Sequence, residues 1–265
     1  MPLNAFKMYH PRDQVEALET HGQSWLSDTI EENIGLCAIQ TIEPVFNRHL
    51  PKQGKILEAG CGLGRWVIYY KRKGYDIIGI DLAKDAVAMA KSYDPSVPVF
   101  IDNILKANYP DGHFDAVISL GVVEHFEEGP MQALNEAHRL LAKGGLLFIS
   151  VPLQNTFRKL LVNHLKRLKK FLQTRKGRSY VFEEYRYTQK QMESFLTSAG
   201  FEIIEVAVDD FFPPKNMGLF VDLPFLRAKE KKWELNPLGR FMNRFFHKVS
   251  PKFACAGLLW VCRKK

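Results

Sequence analysis

A chain of 265 residues, 46% of them apolar and with a formal net charge of +8, can bury one full α/β core and still have residues left for additions. It holds no run long enough to span a bilayer; the longest apolar stretch near the C-terminus, 253–262, falls short. Cys37, Cys61, Cys255 and Cys262 are too scattered for a metal cluster, and the first residues lack the charged-then-apolar pattern of a signal peptide. A cytoplasmic, thiol-reduced protein is therefore expected.

Taken in chain order, residues 1–30 are mixed and read as irregular or helical, and 32–50 as a helix covering a sheet. Apolar runs at 55–59, 75–80, 97–101, 114–120 and 145–151 then alternate with helical stretches at 64–73, 83–93 and 130–142. This is the βαβ rhythm of a parallel sheet. Thr188-Gln189-Lys190-Gln191 fits a capping box, Gly200 ends that helix, and strands follow at 201–208 and 257–263. One α/β domain is expected, doubly wound, with a mostly parallel seven-stranded sheet and helices on both faces. Its parts are an N-terminal helical cover (1–50), a core (51–152), a basic helical insertion (153–187) and the C-terminal part of the sheet (188–265).

The most informative stretch is Ile56-Leu57-Glu58-Ala59-Gly60-Cys61-Gly62-Leu63-Gly64-Arg65, followed by Ile77-Ile78-Gly79-Ile80-Asp81. An apolar run ends in an acid, three glycines alternate, and a second apolar run ends in Asp81. In a βαβ nucleoside-binding unit the glycines admit a ligand to the backbone, and the second-strand carboxylate accepts hydrogen bonds from ribose hydroxyls. A dinucleotide loop needs a later third glycine, where this chain has Arg65. Glu58 would also repel a pyrophosphate. A ligand without phosphate and with a positive end removes both conflicts, and S-adenosylmethionine is such a ligand.

With these residues the sequence resembles the class I S-adenosylmethionine-dependent methyltransferases, in a branch similar to O-methyltransferases of small molecules and lipids. The resemblance continues through Asp102-Asn103, Phe114 to Ser119, Leu120-Gly121-Val122-Val123-Glu124-His125-Phe126 and Leu140 to Pro152. It implies a Rossmann-like fold and a cofactor site of Glu58, Gly60, Gly62, Gly64, Asp81, Leu82, Asp102, Asn103 and Leu120, with Asp102 near the adenine amino group. His125 is the expected base, since it follows the fourth core strand where the methyl should emerge, with Glu124 beside it. Its other reading is structural, a partner of Glu124 or a helix cap. Quinone-biosynthesis O-methyltransferases bind a divalent ion through Glu-x-x-Glu-His, but this chain has Gly121 at the first of those positions, so no metal is expected. Tyr185 and Arg186 lie on the side where acceptors bind in this family, and read either as acceptor contacts or as anchors of the helix beginning at Thr188.

Two additions carry the acceptor information. Between 156 and 178, Phe157, Leu160, Leu161, Leu165, Leu168, Phe171 and Leu172 follow the spacing of one helical face, among nine positive charges and no acid. The rest of the chain is then close to neutral, so the basicity is local. Three roles fit this helix: an apolar face packed on the domain, a contact with anionic membrane, or a grip on nucleic-acid phosphates. The second addition, 209–253, is rich in Phe, Pro and Met and too long to be an idle connection. It reads as a lid, an apolar acceptor pocket or a satellite hydrophobic cluster. A cationic and an apolar surface at one mouth suit a small-molecule or lipid-like acceptor, including a glycan intermediate on a lipid, methylated at oxygen or nitrogen. The protein would then be peripheral at the membrane surface. RNA methylation and a silent cofactor-binding subunit are the alternatives, nucleic acid being the weaker partner; no oligomeric state is indicated.

Overall fold

A computed structural model describes residues 5–12 and 29–265. In chain order the elements are β1 (Phe6–Pro11), α1 (Ile30–Cys37), α2 (Glu43–His49), β2 (Lys55–Ala59), α3 (Arg65–Arg72), β3 (Asp76–Asp81), α4 (Lys84–Tyr93), β4 (Val99–Ile101) and β5 (Phe114–Leu120). A single turn at Val123–His125 leads to α5 (Met131–Leu140) and β6 (Leu141–Pro152). A wide turn, Arg158–Val162, then opens α6 (Asn163–Thr174), followed by β7 (Tyr180–Arg186), α7 (Gln189–Ser198), β8 (Phe201–Asp209), α8 (Met217–Asp222), α9 (Pro237–Val249) and β9 (Gly257–Lys264).

Seven strands form one sheet in the order β4-β3-β2-β5-β6-β9-β8, parallel except for β9, which runs antiparallel to both its neighbours. Both faces are covered, which is why the strands read as continuous apolar runs. Ile56, Ala116, Ile118, Phe148 and Val261 point to the face covered by α1 to α4, where Phe46, Trp66 and Tyr70 pack edge to face or stacked. Leu57, Val117, Leu147, Ile149 and Trp260 alternate to the other face, under α5 and α7. The chain leaves β2 toward β3 and β4, then returns to β5 on the opposite side. That reversal opens a crevice at the carboxyl ends of β2 and β5, where open α/β sheets bind ligands.

The expected strands and the capping box at Thr188 are present, but four boundaries differ from the sequence reading. The first 30 residues are not simply irregular or helical: Phe6–Pro11 is a strand paired antiparallel with β7, while 1–4 and 13–28 lie outside the described residues. The single helix expected over 32–50 is two, because the chain turns at 38–42 and Pro44 is placed in the first turn of α2. Helix α5 stops at Leu140, and Leu141 already pairs with Phe114, so β6 begins earlier than the apolar run suggests. The basic insertion is not helical to 187. The chain turns at Gly177 (φ 83°) and the aromatic, β-branched run from Tyr180 to Arg186 becomes β7. The two additions meet in a third apolar cluster, with Phe157 against Phe246 at 5.2 Å between ring centres.

Candidate active site

The glycine loop after β2 is folded back over the ends of β2 and β3. The Gly60 and Cys61 amides both donate to the Ile80 carbonyl, and the Gly62 amide donates to Asp81 Oδ2 at 2.7 Å. Asp81 Oδ1 accepts from the Ala83 amide at 2.8 Å. Asp81 is thus held rigid at the crevice, and each of its oxygens keeps a second lone pair for a ligand. Gly60 sits at φ 82°, and a Cβ there would lie 2.5 Å from Val122, so no other residue fits. Asp102 accepts from the amides of Asn103 and Asn108, which fixes the next loop along the same edge. Exposed Leu82 and half-buried Leu120 supply apolar surface to either side.

Glu58, next to last in β2, is buried, and its Oε2 has no hydrogen-bond partner. Burial pushes its carboxyl up to about 8, opposed by the nearby Arg65 guanidinium. A buried, unpartnered carboxylate oxygen under a glycine loop calls for a cation.

Beyond β5 and β6 lies a cavity of about 630 Å³. Its apolar wall includes Leu36, Ile42, Leu120, Phe211, Met217 and Trp233, and its charged wall includes Arg65, Glu124, Arg158, Glu184, Arg186 and Asp209. Phe211, Met217 and Trp233 come from the second addition, which therefore forms part of the pocket. Trp233 is the one non-glycine residue at positive φ (64°) among those described, and its buried indole N–H is unpartnered. Trp233 thus brings a strained backbone and an unsatisfied donor to the cavity wall.

The sequence-predicted acceptor residues separate here. Glu124 lines the cavity, fully buried, with Oε2 unpartnered; burial raises its carboxyl far above the usual range, and Glu184 and Asp209 add to the shift. Asp209, bonded to Ser150 and Gln40, is raised to about 6, chiefly by burial. His125 is exposed, does not line the cavity, and donates from Nδ1 to the Glu183 carbonyl at 2.9 Å. The expected base therefore sits outside the cavity, behind the two carboxylates that line it, Glu124 and Glu184. Tyr185 also leaves the site: its ring lies in the core and its hydroxyl donates to the Glu127 carbonyl. Strand alternation explains the split, since Glu184 and Arg186 line the cavity and Tyr185 between them is turned inward.

No metal was expected, yet Glu184 comes near Glu124 and His125, so that one potential ligand atom from each lies within 4.8 Å of the others. Glu184, Asp209, Arg65, Arg158 and Trp233 were all missed in the sequence. Only the acid-rich Glu183-Glu184 pair before Arg186 gave any signal.

A profile of the Methyltransferase domain family matches residues 32–206. A tRNA (carboxymethyluridine(34)-5-O)-methyltransferase from Xenopus tropicalis is 34% identical over 127 residues, 47% of this chain and 20% of that protein. The mitochondrial ubiquinone biosynthesis O-methyltransferase of Dictyostelium discoideum is 33% identical over 119 residues, 38% of this chain and 36% of that protein. The chain spans about half or less of the length of several of the curated relatives it matches, the tRNA methyltransferase among them. A SAM-dependent methyltransferase structure from Methanosarcina mazei superposes with a TM-score of 0.56 at 18% identity, over 83% of this chain and 97% of that one, a likeness of fold.

S-adenosylmethionine fits what the crevice offers. Its ammonium would be held by the orphaned Glu58 carboxyl, its ribose by the free lone pairs of Asp81, and its adenine along the edge formed by Leu82 and Asp102. Matched over two-thirds of its length and built on this crevice, the chain belongs to the class I S-adenosylmethionine-dependent methyltransferases.

Proposed function

We propose that the protein methylates an oxygen or nitrogen of an amphipathic, anionic acceptor, such as a lipid or a lipid-borne glycan intermediate, at a membrane surface. When bound, S-adenosylmethionine supplies a methyl group on a cationic sulfur, which leaves as a neutral thioether once the acceptor's lone pair takes the carbon. The chain's own task is alignment and, for a hydroxyl or ammonium acceptor, proton removal. Glu124 is the base in this reading. Glu124 lines the cavity, its Oε2 has no hydrogen-bond partner, and a carboxylate destabilised by burial and by Glu184 takes a proton more readily than an exposed one. His125, at the surface end of the same group, backs that carboxylate. Trp233 and Arg186 hold the acceptor on its apolar and charged sides.

The observation that carries the acceptor class is the orientation of α6. Leu165, Leu168, Phe171 and Leu172 are 50–55% exposed. Lys166 and Lys170, on the opposite side, are partly buried against β1. An amphipathic helix that turns its apolar stripe outward needs something apolar to cover it. In α9, Met242 and Phe246 pack on the third cluster while Leu238, Phe241, Phe245 and Val249 remain exposed. Exposed Lys159, Lys169, Arg175, Arg244 and Lys248 flank these stripes. Apolar stripes with cationic borders match anionic lipid, and among the described residues no helix is long and apolar enough to cross a membrane.

Co-sedimentation with phosphatidylglycerol vesicles tests this reading. The wild-type chain should bind at low salt, and Leu168→Ser with Phe171→Ser should release it with S-adenosylmethionine affinity intact. Indifference of the wild type to such vesicles contradicts the membrane reading.

A further inference from the structure

A second cavity, of about 810 Å³, lies between β1, α6 and β7. It shares Glu184, Arg186 and Val221 with the acceptor cavity, so the two meet along that wall. Lys166, Arg167, Lys169 and Lys170 enter it from α6, and Lys7 and His10 from β1, against the two acids Glu183 and Glu184 of β7. Glu183 lies 3.4 Å from His10, and Lys7 reaches Glu127 at the same distance. Six consecutive residues of β1 pair with β7, which holds the floor and one wall together.

The shared wall is short of negative charge. Asp222, buried, receives Arg158 Nε at 2.6 Å, Arg186 Nη1 at 3.3 Å and Lys166 Nζ at 3.9 Å, and Arg186 Nε also donates to Glu184 Oε1 at 3.2 Å. Three cations face two carboxylates. Burial, followed by repulsion from Arg186, pulls the Lys166 ammonium down to about 8. One turn further on, Lys170 is held 3.2 Å from the Tyr9 ring centre, and burial lowers its pKa too. Two partly desolvated ammonium groups at i and i+4, the first of them one of three cations facing two carboxylates, form a surface that an added anion would stabilise.

We propose that this cleft holds a phosphate or diphosphate group of the acceptor between Lys166 and Lys170, while the neighbouring part of the acceptor passes Arg186 into the methyl-transfer cavity. The inference rests on the acceptor being anionic and deepens that reading. Phosphate is favoured over a carboxylate because its double charge matches two point-charge ammonium groups, whereas a carboxylate is better matched by a single planar guanidinium. The local cationic excess of 156–178, left open between lipid and nucleic acid by the sequence, then has two uses: Lys166 and Lys170 hold the acceptor, and the outward charges meet the membrane.

Calorimetric titration of inorganic pyrophosphate into the full chain tests the site. The wild type should bind it, and Lys166→Gln with Lys170→Gln should weaken binding by about tenfold to a hundredfold, the loss of a charge-assisted contact. S-adenosylmethionine affinity should stay unchanged in that variant, which shows that it is folded, and Lys159→Gln, outside the cleft, should leave pyrophosphate binding as it was. No binding by the wild type, or equal binding by the double variant, overturns the proposal. Farnesyl diphosphate binding more tightly than pyrophosphate assigns the group to a lipid-borne acceptor; equal affinity keeps the phosphate site and assigns it to soluble esters. An RNA oligonucleotide that outcompetes both overturns it in favour of a phosphodiester grip. Pyrophosphate binding without vesicle binding breaks only the membrane reading, and vesicle binding without pyrophosphate binding breaks only this one.

Discussion

The cofactor crevice and the acceptor cavity adjoin one another but are built in opposite ways. The crevice uses short consecutive pieces, 58–64, 81–83 and 102–103, each fixed by its own backbone bonds: Gly62 to Asp81, Ala83 to Asp81, Asn103 to Asp102. The cavity draws Arg65, Glu124, Arg158, Glu184, Asp209 and Trp233 from six separate parts of the chain. Local geometry leaves a pattern in sequence, whereas convergence of distant side chains does not. The crevice is therefore held by local bonds, whereas the cavity depends on the whole fold to bring its wall together.

The sharpest way to break that contrast is at Gly60. With φ at 82° and Val122 in the path of a Cβ, Gly60→Val should abolish S-adenosylmethionine binding. A smaller loss, about 1.5–3 kcal/mol, is expected for Asp81→Ala. Both are read by calorimetry, and unchanged affinity in the two variants would contradict the crevice assignment.

On the acceptor side, Glu124→Gln should lower single-turnover methyl transfer by about 10²–10⁴ while leaving cofactor affinity intact. His125→Ala, at an exposed position, should lower it less. If the order is reversed, proton removal belongs to His125 and the cavity has been drawn too narrowly.

The smallest effect expected is one of pH. Glu58 has its folded value raised from the ordinary 4.5 to about 8, so the ligand-free fold keeps a proton that the unfolded chain releases. The stability this contributes is complete below pH 4.5 and is lost as pH rises through about 8. S-adenosylmethionine, whose ammonium needs the carboxylate, binds the deprotonated form. Its affinity should therefore rise between pH 6 and 8, with release of one proton below pH 8, seen as a binding enthalpy that depends on the buffer's ionisation heat. A pH-independent affinity would mean that Glu58 stays neutral under the ligand.

How far the sequence reaches follows from the same contrast. Short apolar runs located all seven strands of the main sheet, and Glu58, the glycines and Asp81 gave the crevice, because each depends on neighbours within a few residues. Strand β1 was invisible, since its partner β7 lies about 170 residues away and neither forms a continuous apolar run. His125 and Tyr185 were read as facing the acceptor because their place in the chain was right; His125 lies behind Glu124 and Glu184 at the surface, Tyr185 lies in the core, and Glu124, Glu184 and Arg186 take the wall. The apolar spacing of 156–178 gave a helix but not its direction. That the stripe faces outward follows only from Lys166 and Lys170 lying against β1.

The destination of the methyl group tests the lipid-type acceptor most directly. The full chain, supplied with S-[methyl-³H]adenosylmethionine and a membrane-containing cell extract, should place label in the organic-solvent-extractable fraction, and Glu124→Gln should remove it. Label confined to the RNA fraction, or persisting at wild-type level in Glu124→Gln, would contradict it.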